Sequence, residues 1–210
     1  RFMSAFIRQY DKNHDGAPCA GAGESFRHRY SRKECGSLQF SGRCIFVRLK
    51  EGDQMTLETL LHGLLLSSGN DAATAIAEYI SGSEEAFVEE MNARARELMA
   101  VNTHFVNPHG LHDDNHYTTA YDLYLIFNTC IQNEEFLKII ESDGYTASIT
   151  EADGSVRTEE WSPTNYYARG IVDAPEGVTV VGGKTGTTGE AGYCLILWTG
   201  MRQMIHTSPL

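Results

Sequence analysis

The spacing of apolar residues changes once along this chain, and that change constrains the fold more than any composition figure. Between residues 47 and 142, apolar side chains recur three or four positions apart, the spacing of one helix face. Leu57, Leu60, Leu61, Leu64 and Leu65 form one stripe, with Thr56 placed to cap it. Ala72, Ala73, Ile76, Ala77 and Ile80 form a second, small enough for close packing. Ser83 before Glu84 and Glu85 predicts a third helix, with acids near the positive end of its dipole and Phe87, Val88, Met91, Ala95 and Leu98 facing inward. Thr119 with Asp122 opens a fourth, carrying Leu123, Ile126 and Phe127 into the core. After Asp143 the period becomes that of strands. Residues 145–150 and 155–161 flank an Ala152-Asp153-Gly154 turn, and the β-branched run Val178 to Val181 leads into Gly182-Gly183-Lys184-Thr185-Gly186. The expected class is α+β.

Residues 1–46 show neither period. Arg, His, Gly and three of the five cysteines (Cys19, Cys35, Cys44) are scattered through them. An odd cysteine count without metal-ligand spacing gives no disulfide framework. The formal charge of -11 and pI near 5.1 argue against a nucleic-acid partner and against an anionic membrane surface. No run is long and apolar enough to span a bilayer. The start at Arg1-Phe2-Met3, with no signal peptide, reads as that of a fragment.

Two short motifs carry the chemistry. Ser68-Gly69-Asn70 falls at the junction of two predicted helices, and Lys184-Thr185-Gly186 follows a predicted strand. Alone, each is most simply a cap or a turn. Together, in this order and setting, they form two thirds of an acyl-transfer site. The remaining third, a serine with a lysine three residues on, occurs nowhere in the chain. His109, His112, Asp113, Asp114 and His116 lie in a polar loop bracketed by Pro108 and Thr118-Thr119 and read as loop residues, not metal ligands. Glu84, Glu85, Glu89 and Glu90 read as a solvated helix face, and Gly16 to Ser25 lacks the lysine of a phosphate loop.

From Leu49 to Cys194 the chain resembles the serine D-alanyl-D-alanine carboxypeptidases of the peptidase S11 family, the low-molecular-mass penicillin-binding proteins. The resemblance rests on Glu51-Gly52-Asp53, on Leu64 through Ala73, and on Asn107-Pro108-His109-Gly110-Leu111. It also rests on His116 through Leu123, on Lys184 through Thr188, and on Glu190-Ala191-Gly192-Tyr193. It implies a β-lactamase/transpeptidase-like fold, an antiparallel sheet packed against a helical region. Here that fold would be incomplete, with the opening strands and those after Lys184 missing or scrambled. The expected organisation is an aberrant segment 1–46, a carboxypeptidase-like domain 47–197 (helical 47–142, sheet 143–197) and an aberrant tail 198–210.

The resemblance also implies roles. Ser68 would relay a proton to the leaving amine, and Asn70 would orient the catalytic lysine and the substrate amide. Lys184 would bind the substrate's terminal carboxylate, Thr185 would add a hydroxyl contact, and Gly186 would let the substrate lie close. The Thr187 N–H would complete an oxyanion hole. The substrate would be a peptidoglycan stem peptide ending in D-Ala-D-Ala, β-lactams would acylate intact relatives, and the compartment would be extracytoplasmic. No metal or organic cofactor is required.

The missing nucleophile has a specific explanation. Reading Arg8 to Gly21 one base later permits ASTTKIMTALLALE, a typical family presentation of Ser-x-x-Lys. Gln9 then stands where the serine belongs, and Lys12 is lysine in both frames. A frame shift before Arg8, reversed before about Val47, predicts a chain inactive in acyl transfer. The competing reading is a non-catalytic module that binds wall peptides or penicillin. A class A β-lactamase fits less well, since that family has Asp where Gly69 stands and its deacylating glutamate motif has no counterpart here.

Overall fold

The computed structural model describes residues 26, 27 and 46–201. Gln9 and Lys12, with the rest of the expected frame-shifted segment apart from Phe26, Arg27 and Phe46, lie outside the described residues, as does the tail beyond 201.

Among the described residues, five helices precede the long strands: α1 (Leu57–Leu65), α2 (Asn70–Ser81), α3 (Glu84–Glu97), α4 (Ala120–Cys130) and α5 (Glu134–Ile140). The side chains that predicted their starts do cap them. Thr56, Ser83 and Thr119 accept from the backbone N–H groups of Thr59, Ala86 and Asp122, each at 3.1 Å. The sequence reading did not separate α5. It is two turns long, too short for a period to emerge, and its signal is the Asn133 cap, which accepts from Glu135 and Phe136 N–H at 2.8 and 3.0 Å. The alanines of α2 are fully buried, so α1 and α2 approach closely around Leu60, Leu64 and Ile76. Phe87 and Met91 from α3 and Phe136 from α5 extend that core, with Phe127 and Phe136 meeting edge to face at 5.9 Å. Val88 and Leu98, expected inside, are only partly buried and pack at its margin.

One antiparallel sheet has the order β1 (Phe26–Arg27), β2 (Gln54–Met55), β3 (Tyr145–Thr150), β4 (Val156–Trp161). The β3–β4 register runs from Tyr145 opposite Trp161 to Thr150 opposite Val156, around the expected turn. This sheet packs on α1 through aromatic contacts. His62 stacks on Tyr145 with ring centroids 3.8 Å apart, and Trp161 lies against Gly63. Arg157 holds the 48–53 segment to the hairpin: its guanidinium donates to the Arg48 carbonyl (3.0 Å), to buried Asp53 (2.6 Å) and to Glu151 (3.1 Å).

The second sheet is a hairpin of β5 (Val178–Thr188) and β6 (Gly192–Met201). It corrects two expectations. The Lys-Thr-Gly motif does not end its strand but lies inside β5, with Lys184 opposite Ile196. The strand after Lys184 is not scrambled, since β6 pairs in register to Met201 and runs through the boundary expected at 197. The physical reason is cross-strand pairing. Thr185, Thr187 and Thr188 are good strand formers, and Leu195, Ile196 and Leu197 stand opposite the motif to pair with it. A register irregularity between Val180 and Gly182 bends β5 where α5 ends. There a Cβ on Gly182 would lie 2.6 Å from the Ile140 carbonyl oxygen, so only glycine permits this approach.

Candidate active site

The first motif begins where α1 stops. Leu66 N–H still bonds the His62 carbonyl at 2.9 Å, and Gly69 N–H then reaches back to the Gly63 carbonyl at 3.1 Å. This reversal forces Ser68 to φ 59°, a left-handed conformation that non-glycine residues hold only where the surroundings impose it. Gly69 is required by contact: a Cβ there would sit 2.9 Å from Val47 Cγ1. Asp71, 2% exposed, fixes the other side of the loop by accepting N–H bonds from Val47, Leu49 and Ala72, each at 3.0 Å. Burial pushes its carboxyl above the usual range, and those N–H bonds partly offset the rise. Asn70 is buried at the first position of α2. Among the described residues its side chain makes no hydrogen bond to Ser68 or Lys184.

The second motif comes to the first from 116 residues away. Lys184, 6% exposed, donates from Nζ to Ser68 Oγ and, at 2.7 Å, to the Thr185 carbonyl. The left-handed serine and the strand lysine are therefore in direct contact. Gly186 is half-buried beside them, and Thr187 is exposed farther along β5.

Sequence reading overlooked Thr164. Its hydroxyl pairs with that of Thr185 at 2.5 Å, and its N–H donates to the Leu66 carbonyl at 3.1 Å. One residue in the loop after β4 thus ties both motif segments together. The signal available in sequence was weak: a Pro163-Thr164-Asn165 turn after a strand.

The histidine loop is occupied with its own backbone. His109 Nδ1 accepts from Leu111 N–H at 3.2 Å, and His116 Nδ1 from Val106 N–H at 3.3 Å. Burial lowers the His109 imidazole to about 4, so it is neutral at pH 7.

A buried lysine that donates to the Ser68 hydroxyl and the Thr185 carbonyl thus sits on an extended strand with glycine at the motif. The sequence profile of the D-alanyl-D-alanine carboxypeptidases, peptidase S11, matches residues 32–207. The chain belongs to this family. The match reaches past both boundaries expected from sequence, 47 and 197. Among S11 relatives, D-alanyl-D-alanine carboxypeptidase DacF of Bacillus subtilis is 38% identical over 150 residues, covering 71% of this chain and 36% of that protein. A D-alanyl-D-alanine carboxypeptidase of Streptomyces is 38% identical over 152 residues, covering 69% of this chain and 50% of that protein. The chain thus spans half or less of these relatives. The crystal structure of the Streptomyces DD-transpeptidase superposes with a TM-score of 0.65 at 33% identity, covering 73% of this chain and 59% of that one. An evolved penicillin-binding protein homologue from Mycobacterium tuberculosis gives 0.66 at 25% identity, covering 95% and 72%. The α+β, transpeptidase-like fold expected from sequence is therefore the fold of the chain.

Proposed function

We propose that this chain is a serine-type D-alanyl-D-alanine carboxypeptidase by descent that keeps the peptide groove and lacks acyl transfer. The observation that carries this reading is the Lys184–Ser68 hydrogen bond in a chain with no Ser-x-x-Lys. In the intact reaction a serine hydroxyl attacks the penultimate D-alanine carbonyl and a neutral lysine takes its proton, forming an acyl-enzyme that water then hydrolyses. Ser68 would pass that proton to the leaving D-alanine, and Asn70 would orient the lysine and the peptide amide. Lys184 would attract the terminal carboxylate, with Thr185 adding a hydrogen bond and Gly186 clearing space for the peptide backbone. The Thr187 N–H would share the oxyanion with the N–H of the missing serine.

The ligand is a peptidoglycan stem peptide ending in D-Ala-D-Ala, and the compartment is the bacterial cell envelope, outside the cytoplasm. A peptide-binding role without turnover is favoured by the same observation, because the carboxylate side of the groove does not depend on the nucleophile. Incubation with a fluorescent penicillin followed by denaturing electrophoresis should give no labelled band, since Gln9 cannot form an ester. Replacing residues 8–21 with ASTTKIMTALLALE should introduce labelling. A band from the unaltered chain would overturn the reading.

A further inference from the structure

Thr164 belongs to neither motif, yet it touches both. Its N–H bonds the Leu66 carbonyl just before Ser68, and its hydroxyl lies 2.5 Å from that of Thr185. Resting on the proposed peptide groove, we infer that Thr164 is the positioning residue that sets the direction of the Thr185 hydroxyl, making it a donor toward a ligand carboxylate.

The argument is one of hydrogen-bond polarity. A carboxylate only accepts, so a hydroxyl serving it must spend its single proton on it. Thr185 can do that only if its contact with Thr164 runs the other way, with Thr164 O–H donating into the Thr185 oxygen. Thr164 has the means to hold that direction, because its backbone is pinned to Leu66 and so to the end of α1. Thr185 is fixed from the opposite side, where Lys184 Nζ donates to its carbonyl at 2.7 Å. With Thr164 as the donor, the two hydroxyls form a chain that leaves the Thr185 proton for a carboxylate drawn by Lys184. The role is specific to an anionic terminus, since a neutral amide offers its own donors and works with either sense.

Binding of N-acetylated L-Lys-D-Ala-D-Ala by calorimetry, beside the same peptide ending in a carboxamide, tests this. The variant T164V keeps the shape and loses the hydroxyl. It should weaken the acid peptide about tenfold, the worth of one hydrogen bond, and leave the amide within twofold. T164S should restore the acid peptide. In a T185V background, T164V should cost nothing further, because the relay has already been cut. Equal losses for both peptides would overturn the inference, as would additive losses with T185V, which would mean that Thr164 contacts the ligand itself. If the unaltered chain binds neither peptide, the groove falls and the inference with it. If it binds and T164V changes nothing, only the role of Thr164 falls.

Discussion

A single methyl group at Gly183 would test how far the site depends on β5 lying flush against β6. An ideal Cβ there would stand 2.4 Å from the Ile196 carbonyl oxygen and 2.7 Å from Leu197 Cδ2, where ordinary contact begins at 3.4 Å. The side chain could rotate away, but the carbonyl is part of the ladder. In G183A the strands must therefore separate or twist by about 1 Å, and overpacking of this kind costs about 1–3 kcal/mol. For a chain of this size that corresponds to a drop of roughly 2–12 °C in Tm. Lys184 is the next residue, so the displacement reaches its ammonium. A charge-assisted bond lengthened by about 1 Å is lost, at a cost of about 1.5–3 kcal/mol, or roughly 10- to 150-fold in affinity for a D-Ala-D-Ala peptide. Thermal unfolding by circular dichroism and peptide titration would measure both effects. Adding L197A to G183A removes only the side-chain clash and should rescue neither. Tm within about 1 °C of the parent and affinity within about twofold would refute the reasoning, and rescue by L197A would refute the assignment to the carbonyl.

Two further predictions concern stability. The substitution R157M leaves Asp53, 3% exposed, without its cation and should cost about 3–5 kcal/mol in urea unfolding; a loss below about 1 kcal/mol would show that the ion pair contributes little. His109 has a folded pKa of about 4, below the ordinary 6.5, so the unfolded chain takes up a proton first as pH falls. Stability should drop by about 1.4 kcal/mol per pH unit below 6.5, about 3 kcal/mol in all by pH 4, with His62 lowered in the same direction. H109Q should flatten most of that slope, and an unchanged slope would assign it elsewhere.

Local chemistry explains why so many elements were legible beforehand. Thr56, Ser83 and Thr119 each precede an apolar stripe, and a cap is a contact with a backbone three residues away. The Ala152-Asp153-Gly154 turn is equally local, with Gly154 at φ 87°. α5 escaped because seven residues cannot display a period. β5 was cut short because its glycines read as a turn, while the pairing that extends it to Thr188 comes from β6.

The site divides along the same line. Residue order alone led to the expectation that Ser68, Asn70 and Lys184 form one constellation without a Ser-x-x-Lys, because chemistry restricts which side chains can occupy those places; of these the structure joins Ser68 and Lys184. The Lys184–Ser68 bond, the N–H bonds from Val47 and Leu49 to Asp71, and the bridge made by Thr164 are contacts between segments 20 to more than 100 residues apart. No local preference encodes them. They exist because the helices, the hairpin and the loop after β4 pack against one another, and burial then requires each polar group to find a partner.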